Sequence, residues 1–326
     1  MLQEGAGRRA LLLGAAGMAA ASSAAHAQAW PARSVRVVVG FPPGGPADTY
    51  ARLLAPELQA LWGQPVVVEN RPGAYGVIGT EAVARAAPDG HTLLFTATNH
   101  TTNAAAFPRL PYDTVGGFTP IAMTATAPTV LIVAPGFPAR SLKEFEAYVR
   151  AHPGEVGYAT SGAGGAGHFA GEMYKHRAAL DMPHIPYRGT AAALQDMMGG
   201  SVPASFATLT TVLPFIRAGT LRAIAVATLD RVPPLPDTPT FAELGYAGYE
   251  ANVWYGMLAP ANLPRPLVSR IAEDMRAIQS QPAFVKALAD QASLPATGGP
   301  EEFAALIRRE VPEFTAVARE AKITVE

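Results

Sequence analysis

Short β-branched runs alternate with stretches of helical periodicity along this chain, and three of the runs lead straight into glycine clusters. Strands alternating with helices predict an α/β fold with a largely parallel sheet. The first unit reads as strands at 35–39, 65–68 and 92–95, with helices at 48–61 and 77–86 between them. A second unit repeats the rhythm with strands at 130–133, 156–159, 184–187, 204–206 and 221–227, and helices at 142–150, 167–180, 191–198 and 211–218. A strand at 254–259 and helices at 266–278, 283–291 and 300–321 then return the chain to the first unit. The expected division is residues 28–127 with 254–326 in one domain and 128–253 in the other. Two α/β units joined by crossings leave a cleft between strand carboxyl ends, where open sheets of this kind bind ligands.

With 326 residues, 49% of them hydrophobic, the chain can bury a full core. Lys and Arg number 25 against 26 Asp and Glu, so there is no basic excess with which to hold nucleic acid. Cysteine is absent, which excludes thiol nucleophiles, thiolate zinc sites and disulfides together. At the N-terminus a basic pair, Arg8 and Arg9, precedes an apolar stretch at 10–21 and the small-residue site Ala25-His26-Ala27. That pattern predicts an export signal, residues 1–27, cleaved after Ala27 by the Sec or the twin-arginine route. The stretch is shorter than the ~20 apolar residues a membrane span needs, so the expected mature protein is soluble and periplasmic.

The glycine clusters are the candidate binding elements. Phe41-Pro42-Pro43-Gly44-Gly45-Pro46-Ala47-Asp48 follows the first strand and leads into a helix. Glycine lets a ligand approach the backbone, and free N–H groups at a helix start favour an anion. Asp48 either caps that helix or takes part in the site. The second cluster runs from Arg71 through Gly73, Tyr75 and Gly76 to Gly79, and the third from Tyr158 through Thr160, Ser161, Gly162, Gly164 and Gly165 to Gly167 and His168. Gly162, Gly164 and Gly167 formally match a dinucleotide fingerprint, but the ribose-binding acid is missing, so no cofactor is expected. The same geometry serves a carboxylate held by backbone N–H groups and the Thr160 and Ser161 hydroxyls. Ser161 lacks the glycines of a nucleophile elbow and no His-Glu-x-x-His pair occurs, so neither a catalytic residue nor a metal site is expected. His168 reads equally as a cleft residue or a structural histidine, and Trp254 with Tyr255 as packing at the domain junction.

Several long motifs in order carry a family resemblance. Trp30-Pro31, Phe41-Pro42-Pro43-Gly44-Gly45, the run from Gly63 to Gly73, Ile78-Gly79-Thr80, the run from Ala87 to Leu94, His184-Ile185-Pro186-Tyr187-Arg188-Gly189 and the run from Ala218 to Ala223 resemble the Bug-type, or TctC-like, substrate-binding proteins of tripartite tricarboxylate transporters. The resemblance implies a type II periplasmic binding-protein fold, two α/β domains closing on a small carboxylate, and a monomer that delivers it to integral membrane subunits. It implies a first wall from Phe41, Pro43, Gly44, Gly45 and Asp48, with Tyr75 and Asn99 beside it. Thr160, Ser161, Gly162, Gly165 and His168 are implied opposite, with Arg188, Gly189, Thr190 and the position of Ala207 completing the cleft.

Two positions depart from the family pattern: Tyr75-Gly76-Val77 stands where members often read Gly-Gly-Asn, and Ala207 where many carry Asp or Asn. Lacking a polar acceptor at 207, the site is expected to disfavour an ammonium group, and Tyr75 to favour an aromatic or less polar carboxylate. The rival readings are an exported α/β hydrolase and a sensing receptor that reports to a signalling partner.

Overall fold

The computed structural model describes residues 30–296 and 298–325; the expected export signal and its cleavage point lie outside the described residues. The chain begins with β1 (Val35–Val39), α1 (Pro46–Trp62), β2 (Val66–Asn70), α2 (Val77–Ala84), β3 (Thr92–Ala97), α3 (Asn99–Ala106) and β4 (Phe118–Ala127). It crosses at Pro128 into β5 (Thr129–Val133), α4 (Leu142–Ala151), β6 (Tyr158–Thr160), α5 (Ala166–Ala178), β7 (His184–Pro186), α6 (Thr190–Met198), β8 (Ala204–Thr208), α7 (Leu209–Arg217) and β9 (Arg222–Val226). It returns through β10 (Val253–Pro260), α8 (Arg265–Gln279), α9 (Pro282–Asp290), β11 (Leu294–Pro295) and α10 (Pro300–Glu320).

Among the described residues these strands form two sheets, ordered β11-β4-β10-β3-β1-β2 and β7-β6-β8-β5-β9. The sheets are mixed instead of largely parallel. β1 runs parallel to β2 and β3, and β6 parallel to β7 and β8, as βαβ units require. β10 lies antiparallel to β3 and β4, and β5 antiparallel to β8 and β9. Strands delivered by a crossing between sheets arrive from the opposite end, so their direction reverses.

Besides the two-residue β11, two longer elements went unread in the sequence. α3 carries Asn99, Thr101, Thr102 and Asn103, poor helix formers, yet burial of His100, Thr101 and Thr102 against the fold outweighs propensity. β4 contains Pro120, which a central strand tolerates poorly; the ladder to β10 shifts register between Met257 and Leu258, where Leu258 meets Pro120.

Helices cover both faces of each sheet, which is why most strands read as continuous apolar runs without alternation. On the first sheet Val37, Leu54, Leu58, Met257, Ile271 and Met275 pack on one face, and Val38, Leu94, Trp254, Phe303 and Ile307 on the other. The second is filled by Leu131, Phe145, Tyr174 and Phe206 on one side and by Val130, Ile132, Leu194 and Leu213 on the other. A small fifth cluster, Ala106, Phe169, Ala318, Ile323 and Val325, joins the lobes.

Glu310 on α10 is buried and ties three elements together: its Oε2 accepts from Thr101 Oγ1 at 2.7 Å and from Trp254 Nε1 at 2.8 Å. Burial pushes its carboxyl up to about 7, against the pull of those two donors. Below about 4.5 both folded and unfolded chains hold the proton; between there and 7 only the folded chain does. This group's contribution to stability is therefore lost as pH rises through about 7. Denaturant unfolding at pH 5 and pH 8 is expected to show Glu310→Gln escaping a loss of about 2–3 kcal/mol that the wild type suffers. An equal loss in the variant would assign the pH dependence to other groups.

Candidate ligand-binding site

Loops from both lobes enclose a cavity of about 410 Å³. The first lobe contributes Phe41, Pro42, Pro43, Gly45, Pro46, Ala47, Tyr75, Ala97, Asn99, Val253 and Tyr255; the second contributes Ser161, Gly162, Gly165, Ala166, Gly167 and Thr208. No charged side chain lines it among the described residues. A larger groove of about 770 Å³ along α5 and α10 is lined by charged residues, including Lys175, Arg177, Arg309 and Glu313, and includes none of the glycine loops.

Two helix starts converge on the cavity. α1 begins after Gly45 (φ −77°, ψ 166°) and α5 after Gly165 (φ −77°, ψ 165°), so both lobes present the same backbone turn. First-turn amides have no intrahelical acceptor, and the aligned peptide dipoles make each start electropositive. Neither cap residue carries a side chain to occupy those amides. The other lining side chains are apolar or aromatic apart from Asn99, Ser161 and Thr208. Chemically, such a surface offers main-chain donors to an anion and rings and prolines to an apolar body.

Asp48 lies beneath this wall instead of in it. Its carboxylate accepts from Gly44 N at 2.9 Å, Arg52 Nε at 3.0 Å and Asn70 Nδ2 at 2.9 Å, while Asn70 Nδ2 also reaches Phe41 O at 3.0 Å. Gly45, not Asp48, is the N-cap. Burial raises the Asp48 pKa, yet Arg52, Gly44 and Asn70 together hold it below the usual value. Gly44 takes a left-handed φ of 84° and feeds this brace without lining the cavity.

Tyr75 sits in the left-handed region (φ 54°, ψ 33°), its carbonyl held by Asn99 Nδ2 at 2.6 Å and Asn103 Nδ2 at 3.1 Å. Its ring reaches the other lobe: a Cβ added to Gly162 would lie 3.1 Å from the Tyr75 hydroxyl oxygen.

Several implied site residues lie outside the lining. Thr160 is buried under its loop, its hydroxyl donating to Gly162 O at 3.0 Å. His168 is likewise buried and accepts from Gly164 N. Arg188 is exposed; Gly189 donates its amide to Ser161 O and, with Thr190, starts α6 beside the cavity. Ala207 is buried in the core against Val130 and does not line the cavity, so a polar side chain at this position would face the core and not the ligand. Its neighbour Thr208 lines the cavity instead, because successive strand residues face opposite ways.

Thr208, Ala97, Val253 and Tyr255 are lining residues the sequence reading missed. Tyr255 packs edge-on against Tyr50 at 4.9 Å between ring centroids and turns to the cavity, whereas Trp254 faces the opposite core and bonds Glu310. The alternation of Trp254 and Tyr255 on one strand was the available signal.

The model of the tripartite tricarboxylate transporter family receptor, TctC, matches residues 50–323. BugT of Bordetella pertussis is 37% identical over 313 residues, covering 95% of each chain. Among solved structures, Rpa4515 of R. palustris, determined with adipate, superposes with a TM-score of 0.80 at 32% identity over 91% of this chain and 100% of that one. MatC from Rhodopseudomonas palustris with bound malate gives 0.76 at 33% identity, over 88% and 99%. The fold and these relatives define the class of two-domain periplasmic solute-binding proteins, which are binding proteins and not enzymes. Within that class, the chain belongs to the TctC family of tripartite tricarboxylate transporter receptors.

Removing the Asp48 charge tests the brace. Asp48→Asn is expected to lose about 1.5–3 kcal/mol of stability at pH 7. The gap should close as pH falls below about 4, because a depressed carboxylate stabilises only above its unfolded pKa and the wild type loses that contribution in acid. Unfolding curves with a pH-independent gap would contradict the assignment.

Proposed function

We propose that this chain is an exported receptor that captures a small organic acid with an apolar, preferably aromatic, body by closure of its two lobes. It then hands that acid to the integral membrane subunits of a tripartite tricarboxylate-type transporter. The observation that carries this reading is the pairing of two uncapped helix starts across a cavity that, among the described residues, no charged side chain lines. The family name and the adipate and malate held by relatives support a carboxylate and a membrane partner. Phe41, Pro42, Pro43, Tyr75 and Tyr255 support an apolar body, and about 410 Å³ suits a small metabolite.

Residues 28–127 with 254–326 form one closing domain and 128–253 the other, with the hinge at the two crossings. Sheet membership supports that division: β5 to β9 fall in one sheet and the remaining strands in the other. The N-terminal pattern supports periplasmic delivery after cleavage at Ala27, and the chain acts as a monomer without a metal or cofactor.

Calorimetric titration with benzoate, adipate, malate, an amino acid and a simple amine tests the reading. The acids are expected to bind, benzoate or adipate more tightly than malate, and the amine not at all. Tyr75→Gly should weaken benzoate about 5- to 20-fold while changing malate little. Tight binding of an amino acid with no response to benzoate or adipate would overturn the apolar preference, and silence toward every acid would overturn the receptor reading.

A further inference from the structure

Behind the second-lobe loop lies a buried polar cluster that the cavity does not use directly. His168 Nδ1 accepts from Gly164 N at 3.1 Å. Thr160 donates its hydroxyl proton to Gly162 O at 3.0 Å, which leaves its oxygen to accept from His184 Nε2 at 2.7 Å. The two imidazoles stack with centroids 3.5 Å apart and planes 11° apart. Beyond them, Glu172 accepts from Tyr158 Oη at 2.6 Å and Lys175 Nζ at 2.8 Å, and lies 3.9 Å from His168 Nε2.

We propose that His168 is a positioning residue: as an uncharged ring protonated at Nε2, it fixes the Gly162–Gly165 loop through the Gly164 amide, and ligand affinity depends on that hold. The inference rests on the receptor reading and assigns His168 a place in it.

A nitrogen that accepts from a backbone N–H must be unprotonated, so the proton of the neutral ring sits on Nε2, facing the Glu172 carboxylate. A second proton would aim two N–H groups at each other and charge a ring stacked on His184. Burial lowers the His168 pKa to about 4, with Glu172 opposing and Lys175 reinforcing the shift; burial, His168 and Lys175 lower His184 to about 3. Both rings are thus neutral across the physiological range.

The held amide also lies at a contact between the lobes. Gly164 has a left-handed φ of 71°, and a Cβ there would lie 2.7 Å from Val325 Cγ2 and 3.0 Å from Ala106 Cβ, both in the first lobe. Released from His168, the loop would lose its register with the cavity and with that contact together.

The test compares three variants by amide exchange at Gly164 and by calorimetry with benzoate, adipate and malate. His168→Phe keeps a flat ring but no acceptor. His168→Asn offers Oδ1 near the Nδ1 position, and His168→Gln sets its acceptor one bond further out. Phe and Gln are expected to accelerate Gly164 exchange by about 100-fold and to weaken acid binding about 10-fold, while Asn stays within about 3-fold of wild type on both. Nitrogen chemical shifts of wild-type His168 should report a bare Nδ1 and a protonated Nε2. Equal behaviour of Asn and Gln, or unchanged exchange and affinity in the Phe variant, would overturn the proposal. If Phe does not fold, the Asn and Gln pair still decides. A wild-type protein that binds none of the three acids fails the receptor reading, and the exchange measurement then judges the hold on Gly164 by itself.

Discussion

The site depends on backbone amides at two helix starts remaining without acceptors inside the protein. A side-chain cap would normally claim such donors, yet Gly45 and Gly165 leave both starts uncapped in the same extended conformation. Leaving donors unmatched costs stability, which a fold tolerates where solvent or a guest completes them. An anion held this way meets dipoles fixed by secondary structure, so no charged side chain has to be desolvated on binding.

Loops that present bare amides need rigidity from behind, and the two lobes obtain it by different chemistry. In the first, the carboxylate of Asp48 gathers Gly44 N–H, Arg52 and Asn70, a charge-assisted brace. In the second, neutral imidazoles and a threonine hydroxyl hold the loop from inside, where a charge would be expensive. Close backbone approach adds to the first brace: Gly79 packs so near Gly40 that a Cβ there would lie 2.9 Å from Gly40 Cα.

Much of this architecture was legible in the sequence because its signals are local. Strand ends, helix starts and glycine loops are set by neighbours in the chain, and Phe41, Pro43, Gly45, Tyr75, Asn99, Ser161, Gly162 and Gly165 all meet at the cavity. Where two readings stayed open, or the structure differs, the cause is another. Asp48 and His168 sit in cavity-lining segments but face inward toward partners that only the fold supplies. The one-residue difference between Ala207 and Thr208 is a question of which strand face meets the cavity, and short apolar strands do not encode it. α3 helix formation, direction reversal in β10 and the β4 bulge at Pro120 likewise arise from contacts distant in sequence.

The position of β10 sets an order of events for the growing polypeptide. It lies between β3 and β4 at the middle of the first sheet, although it is contributed more than a hundred residues after either. The second sheet draws all its strands from one continuous segment and can knit its ladder as soon as that segment is available. The first must wait with an open seam until residue 260 is delivered, a long-range closure that is intrinsically slow. A nascent chain of this design therefore has every strand of its second sheet in hand before the central seam of its first can close.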